Sequence, residues 1–108
     1  MTTLELSEQT KAMLDESLIE GTDAEQKIRS LLRAEYLRKL AQHRRVNLAL
    51  EQKYRLGFKD FITHRIAEKH GFAWNVETDA MSWELAVSGI ETLERKLSEL
   101  ASHGDLHQ

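Results

Sequence analysis

Residues 23–55 contain neither glycine nor proline and lie between Gly21 and Gly57. The stretch is rich in Leu, Ala, Arg, Lys, Glu and Gln, the residues with the highest helix propensities. It predicts one long helix of roughly 50 Å, because a helix rises about 1.5 Å per residue. A compact chain of this length has a diameter of roughly 34 Å. The helix must therefore bend, protrude or be covered by a second copy of the chain.

The apolar residues of this stretch fall on two nearly opposite sides of the predicted helix. The smaller set is Leu37, Leu40, Ala41 and Leu48. A helix that is apolar on two sides needs neighbours on two sides, and a homo-oligomer, most simply a two-fold dimer, supplies them. The alternative is a helix broken within residues 43–47, where one of five side chains is apolar. The predicted oligomer interface consists of Ile28, Leu31, Leu32, Tyr36, Val46, Leu50 and Tyr54.

Composition predicts one all-α domain over residues 1–108, a small helical bundle around the long central helix. The chain is 41% hydrophobic and 31% charged and has no proline or cysteine. Without cysteine there is neither a disulfide nor a thiolate metal site. The amino terminus lacks the pattern of a signal peptide, and no apolar run approaches about 20 residues. We therefore expect a cytoplasmic protein without a membrane partner.

The net charge of −3 is unevenly distributed along the chain. Residues 1–26 carry a net charge of −6, residues 27–55 of +7 and residues 72–108 of −5. The acidic flanks either neutralise the basic helix or leave it free to contact nucleic acid through Arg44 and Arg45. The first interpretation is favoured, because the overall negative charge repels phosphate.

The first part of the chain predicts a short strand followed by a helix. Residues 2–6 alternate polar and apolar side chains, which is typical of a strand, or they lead directly into the helix. Ser7 is in position for an N-cap, and Gly21 for a helix stop. The apolar side of this helix would consist of Met13, Leu14, Leu18 and Ile19.

A capping signal marks the start of the long helix. Thr22 or Asp23 is the predicted cap, because Glu25 and Gln26 follow three residues later and complete a capping box. The signal coincides with the start of the glycine-free stretch. We therefore place the beginning of the long helix at this point.

Two packing helices and a tail are predicted after Gly57. One helix covers residues 58–70, ends at Gly71, and turns inward Phe58, Phe61, Ile62, Ile66 and Ala67. Residues 72–77 alternate in polarity, which indicates an extended connector or a short strand. The last helix covers residues 79–101, and residues 102–108 form a tail.

The last helix carries an apolar seam with the three- and four-residue spacing of a coiled coil. This seam is predicted to pack on the long helix or on its copy in a partner chain. Gly89 lies within it and costs about 1 kcal/mol relative to alanine, so we expect a close approach there, by Trp74 or Trp83. The seam consists of Trp83, Ala86, Ile90, Leu93, Leu97 and Leu100.

Residues 2–37, with the sequence TLELSEQTKAMLDESLIEGTDAEQKIRSLLRAEYL from residue 3 onward, resemble the ribbon-helix-helix layout of many bacterial antitoxins and small repressors. The resemblance implies a dimer whose paired strands enter the major groove. The base-reading residues would be Thr3 and Glu5, or Thr2 and Leu4 in the other register. Phosphate would be held at Thr22 and the following amides. The segment departs from the family because its strand lacks Arg and Lys, the usual Pro is Ser, and its charge is acidic.

No pattern in the chain specifies a reaction. Of the five histidines, only His103 and His107 have the spacing of a helical metal pair, and a glycine separates them. Glu77, Asp79 and Glu84 are typical of a solvated helix start rather than of an acid–base pair. We expect the tryptophans and phenylalanines to form the core rather than an exposed patch. The sequence therefore predicts no enzyme, metal or cofactor.

The preferred hypothesis from the sequence is a helical homo-oligomeric protein-interaction module. Its partners would be a second copy of itself and a toxin-like protein, which it would mask as an antitoxin does. The alternative is a ribbon-helix-helix-like DNA-binding regulator. Retention on heparin that is lost as salt rises would favour the alternative.

Overall fold

The computed structural model describes residues 5–64, 66–69, 71 and 73–105, with side chains described through residue 102. Every regular element within these residues is a helix, which confirms the predicted all-α class and the long helix. Of the predicted strand, residues 2–4 lie outside the described residues, and Glu5 and Leu6 belong to no strand. The helices are α1 Glu8–Asp15, α2 Ala24–Tyr54, α3 Phe58–Thr63, α4 Ile66–Lys69 and α5 Trp74–Asp105.

The length of the chain predicts one domain, but its internal contacts group it into two compact units. The first unit is residues 1–35 and the second is residues 36–108. Helix α2 contributes its first turns to the first unit and the remainder to the second. Within the described residues, no helix is both long and apolar enough to span a membrane.

Helix α1 begins at the predicted cap and ends earlier than predicted. The Ser7 hydroxyl oxygen accepts a hydrogen bond from the Thr10 amide at 3.1 Å, as an N-cap should. The helix stops at Asp15, so the expectation that it runs to Gly21 is wrong. The Ser17 hydroxyl donates to the Leu14 carbonyl oxygen at 2.6 Å, so a side chain satisfies an acceptor that another helical turn would have used.

The start of α2 is capped by Asp23, as predicted, and the reciprocal bond of the predicted capping box falls on Thr22, one residue before the cap. The Asp23 carboxylate accepts a hydrogen bond from the Gln26 amide at 2.8 Å. The Gln26 side-chain oxygen in turn accepts from the Thr22 amide at 2.9 Å and from its hydroxyl at 3.0 Å. Gly21 has φ +140, and a Cβ there would lie 2.8 Å from the Lys27 nitrogen, so this tight turn requires glycine.

Helix α2 continues without interruption through residues 43–47 and ends at Tyr54. Arg55 has φ 58, a left-handed conformation that stops the helix and is uncommon for a residue other than glycine. Gly57 then caps α3. The continuous helix excludes the alternative of a break at residues 43–47.

The single helix predicted over residues 58–70 is two short helices, α3 and α4. Phe61 is buried and Ile66 is half-buried against the same core. On one continuous helix these side chains would point about 140° apart, so the break allows both to face inward. The predicted inward position of Ile62 is wrong, because 53% of its surface is exposed. Gly71, with φ +66, donates to the Glu68 carbonyl oxygen at 2.9 Å after the end of α4.

Helix α5 begins at Trp74, so the expected extended connector is wrong over residues 74–77. Val76 is buried seven residues before Trp83, which extends the seam of α5 toward its start. Trp83, Ala86 and Leu93 are buried as predicted. The other seam residues are half-buried: Ile90, Leu97 and Leu100.

Candidate interaction surfaces

In the second unit, α2 presents one inner seam to an antiparallel α5. Its members recur at three- and four-residue spacing, and two of them, Leu40 and Leu50, are buried. The placement of Leu40 on the side of α2 opposite to Leu50 is therefore wrong. Two ion pairs show that the helices are antiparallel. The Arg44 Nη2 atom lies 3.5 Å from Glu94 Oε1, and Lys53 Nζ lies 2.6 Å from Asp79 Oδ2, so the earlier residue of α2 meets the later residue of α5. The inner seam consists of Tyr36, Leu40, His43, Asn47, Leu50 and Tyr54.

The two polar members of this seam explain why the sequence looked interrupted at residues 43–47. The Asn47 side-chain oxygen accepts a hydrogen bond from the Trp83 indole nitrogen at 2.7 Å. The His43 ring lies so close to Gly89 that a Cβ there would be 2.6 Å from its Cδ2 and Nε2 atoms. The predicted close approach at Gly89 is therefore confirmed, with His43 in the place of a tryptophan.

An aromatic cluster forms the centre of the second unit. Trp83 and Phe61 are essentially inaccessible to solvent. The Trp83 ring centroid lies 5.0 Å from that of Phe61, 5.5 Å from that of Phe58 and 5.8 Å from that of Tyr54. These separations are typical of stabilising aromatic pairs. The expectation of an aromatic core holds for these residues and fails for Trp74, which is 81% exposed.

A polar clamp lies at the edge of this cluster. Asp79 Oδ2 accepts hydrogen bonds from Lys53 Nζ and from the Tyr54 hydroxyl, both at 2.6 Å. The bonds from Lys53 and then Tyr54 lower the pKa of Asp79 below its ordinary 3.8. Burial, followed by the bond to Asp79 and its charge, raises the pKa of Tyr54 to about 12. Neither group exchanges a proton near neutral pH, where a general acid or base is most effective, so the clamp is structural.

The acids proposed from the sequence as metal or acid–base candidates do not converge. Asp79 is engaged in the clamp, whereas Glu77 and Glu84 lie seven residues apart along a different side of α5. Among the described residues, no three histidine or carboxylate side chains form a group able to hold a metal ion. His107 lies outside the described residues, and the side chain of His103 does as well.

The predicted oligomer-interface residues divide by exposure. Leu31, Leu32 and Val46 are exposed, while Ile28 and Tyr36 are half-buried. Leu50 and Tyr54 are packed inside the chain, in the core of the second unit. Those two side chains are occupied by intramolecular contacts, and the exposed members are the ones available to a partner.

The predicted nucleic-acid contacts fall in both units, and two of them, Thr22 and Arg44, already bond within the chain. Thr3 lies outside the described residues, and Glu5 is an exposed acid in the first unit. The amide and hydroxyl of Thr22 both donate to Gln26, which is a cap interaction. In the second unit, Arg44 of α2 pairs with Glu94 of α5, and Arg45 is exposed.

Polar contacts connect the helices and turns of the first unit. Lys27 Nζ donates to the carbonyl oxygens of Leu14 and Asp15 at 3.0 and 3.2 Å, which caps the end of α1. The Ser30 hydroxyl donates to the Glu20 carbonyl oxygen at 2.8 Å. Leu14 is the only buried hydrophobic residue among the described residues of this unit. The exposed large hydrophobic residues of the unit are Met13, Leu18, Leu31 and Leu32.

A second apolar surface lies on α5 and was missed in the sequence. Trp74, Met81 and Leu85 are 81%, 71% and 67% exposed. Their spacing of seven and four residues places them on one side of the helix. This spacing is the signal that would have identified them, but it was hidden because Trp74 was assigned to a connector. We call these three side chains the outer stripe of α5.

The chain matches no protein-family model, no curated protein and no solved structure.

Proposed function

We propose that this protein is a helical protein-interaction module that self-associates through the first unit. The observation that carries the proposal is the thin core of this unit, in which only Leu14 is buried among the described residues. One buried leucine supplies little of the apolar burial that must offset the backbone entropy lost when the unit is ordered. The unit therefore needs a further apolar surface to cover its exposed leucines.

A second copy of the chain is the simplest source of that surface. A two-fold dimer sets the same patch of each chain against the other, so a single apolar patch is enough. Leu31 and Leu32 are exposed at consecutive positions of α2 and offer such a patch. They are also members of the interface predicted from the sequence.

The proposal includes a second protein partner, in the way that an antitoxin-type protein masks a toxin. Its support is the outer stripe of α5, an exposed apolar surface in the second unit. The succession of two helices around Gly21 in residues 2–37 also resembles such proteins, although Glu5 and Leu6 form no strand and α1 ends at Asp15. The alternative, DNA binding, is supported by the net charge of +7 in residues 27–55. Heparin retention that collapses as salt rises would favour DNA.

Sedimentation equilibrium of the intact chain and of a Leu31→Lys variant tests self-association. We expect the 12.5 kDa chain to sediment at about twice its mass, and the variant as a monomer, because an unpaired charge does not enter an apolar interface. The matched control is Gln52→Lys, which adds the same charge at an exposed polar position of α2 and should leave the oligomer intact. A monomeric wild-type chain, or an oligomeric Leu31→Lys variant, would contradict the proposal.

A further inference from the structure

The outer stripe of α5 points away from the contacts that hold the second unit together. Trp83, the centre of the core, is nine residues from Trp74 and two from Met81, which places it on the opposite side of the helix. The stripe therefore contributes nothing to the core, and a folded chain exposes it. Trp and Met are enriched at protein interfaces, and an exposed row of large apolar side chains is typical of an interaction surface.

The same side of α5 continues with small side chains. Ser88 and Thr92 follow Leu85 along this line. Small residues allow a neighbouring helix to approach closely. From Trp74 to Thr92 the side measures about 27 Å, a length that matches about five turns of a docked helix.

A row of acids flanks the stripe. Glu77, Glu84 and Glu91 recur every seven residues along one side of it, and α5 has no Lys or Arg before Arg95. Among the described residues, none of the three glutamates forms an ion pair, whereas Asp79 and Glu94 are paired with α2. The acidic row is therefore available for an incoming positive charge.

The charges beside the stripe distinguish a second copy of this chain from a different protein as the binding partner. The opposite flank of the stripe carries the uncharged residues Asn75 and Ser82. A second copy of the same surface would place the acidic row against itself or against those uncharged residues, and neither pairing is favourable. An occupant with Lys or Arg beside its apolar side chains would complement both the stripe and the row.

We propose that the outer stripe of α5 docks an amphipathic helix of a partner protein whose apolar side is flanked by Lys or Arg. This inference rests on the proposed interaction role and assigns the chemistry of the partner. It is independent of the self-association surface, since the docking residues all lie on α5. The partner helix would lie along the apolar side of α5. Its charged residues would determine which partner binds and in which direction.

Two synthetic helices of about 20 residues, the length that spans this side, test the proposal on the full chain. Both carry the same Leu and Ala seam, and one has Lys flanks where the other has Glu. The chain has two tryptophans, and the indole N–H of Trp83 is already bonded to Asn47, so the two indole NMR signals report different sites. We expect the Lys-flanked helix to shift the Trp74 signal and to leave the Trp83 signal in place.

Variants separate the apolar and charged contributions. The triple change Glu77→Gln, Glu84→Gln and Glu91→Gln should weaken binding of the Lys-flanked helix about tenfold, since it removes three exposed ion pairs. Met81→Ser should abolish binding without unfolding the chain, because Met81 is exposed.

Three results would overturn the inference. One is equal binding of the two helices, and another is binding of neither. The third is a Trp74 signal that shifts with the concentration of the chain alone, which would show that a second copy occupies the surface. The Leu31→Lys variant separates the two proposals: it should lose self-association and still bind the Lys-flanked helix.

Discussion

The two units of this chain are stabilised by different kinds of contact. The second unit surrounds Trp83 with aromatic rings and with Leu50 and Val76, and its polar groups at the core edge are paired. The first unit buries Leu14 alone among its described residues. Hydrogen bonds from Lys27 and side-chain caps connect its helices and turns. Apolar burial contributes stability, whereas exposed hydrogen bonds mainly fix geometry. The second unit has the buried core that an independent fold needs, and we propose that the first gains one from a second copy of the chain.

The largest effect expected from this comparison is at the two tryptophans. Trp83→Ala should cost about 3–5 kcal/mol of unfolding free energy, because it leaves a cavity at the centre of the core, and should remove the cooperative thermal transition of the second unit. Trp74→Ala is the matched control: the same atoms are deleted from an 81% exposed position, and the stability should change by less than about 0.5 kcal/mol. Thermal denaturation followed by circular dichroism measures both, and similar losses would contradict the account.

A smaller effect is expected when the Asp79 clamp is titrated. The raised pKa of Tyr54 means that its contribution is complete below pH 10, the ordinary Tyr value, and is lost as pH rises toward about 12. The lowered pKa of Asp79 means that its contribution is present above pH 3.8 and is lost as pH falls further. Urea denaturation across pH should show both losses, each on the order of 1 kcal/mol.

Single variants identify the groups responsible for these losses. Tyr54→Phe should remove the alkaline loss, because the hydroxyl that ionises is absent. Asp79→Asn should remove the acidic loss. An alkaline loss of unchanged size in Tyr54→Phe would show that another group controls the stability of the second unit at high pH.

The smallest effect is expected in the first unit. Lys27→Met keeps the length and helix propensity of the side chain and deletes the bonds to Leu14 and Asp15. We expect a loss of about 1 kcal/mol, seen as roughly fivefold faster amide exchange in α1. The thermal transition of the second unit should not move. Unchanged exchange in α1 would mean that the polar contacts do not hold this unit.

Much of the helical framework could be predicted from local sequence. Gly21 and Gly57 bracket α2, Ser7 and Asp23 cap helices where their side chains can bond forward, and the seam of α5 follows from its spacing. Each of these signals acts within one or two turns of the chain. They are therefore readable without knowledge of the tertiary contacts.

The features that were missed depend on partners distant in the sequence. His43 and Asn47 are polar, so their inward position is visible only once Gly89 and Trp83 are known to lie opposite them. The alternation over residues 72–77 fits a strand locally, but burial of Val76 in the seam of α5 favours the helix. Propensity is a weak guide where such tertiary contacts decide.

The outer stripe of α5 shows the same limit at a candidate site. Of its three residues, the sequence analysis placed Trp74 in the core and made no assignment for Met81 or Leu85. Only the packing of α5 shows which side of that helix already has neighbours. Exposure, unlike periodicity, is a property of the folded chain.

Amide hydrogen exchange at increasing protein concentration tests the central claim most directly. The account predicts that protection in residues 8–35 rises with concentration, because the first unit is completed by a second copy. Protection of the core around Trp83 should stay constant over the same range. High protection of residues 8–35 that does not change with concentration would contradict the account, since the first unit would then be stable without a partner.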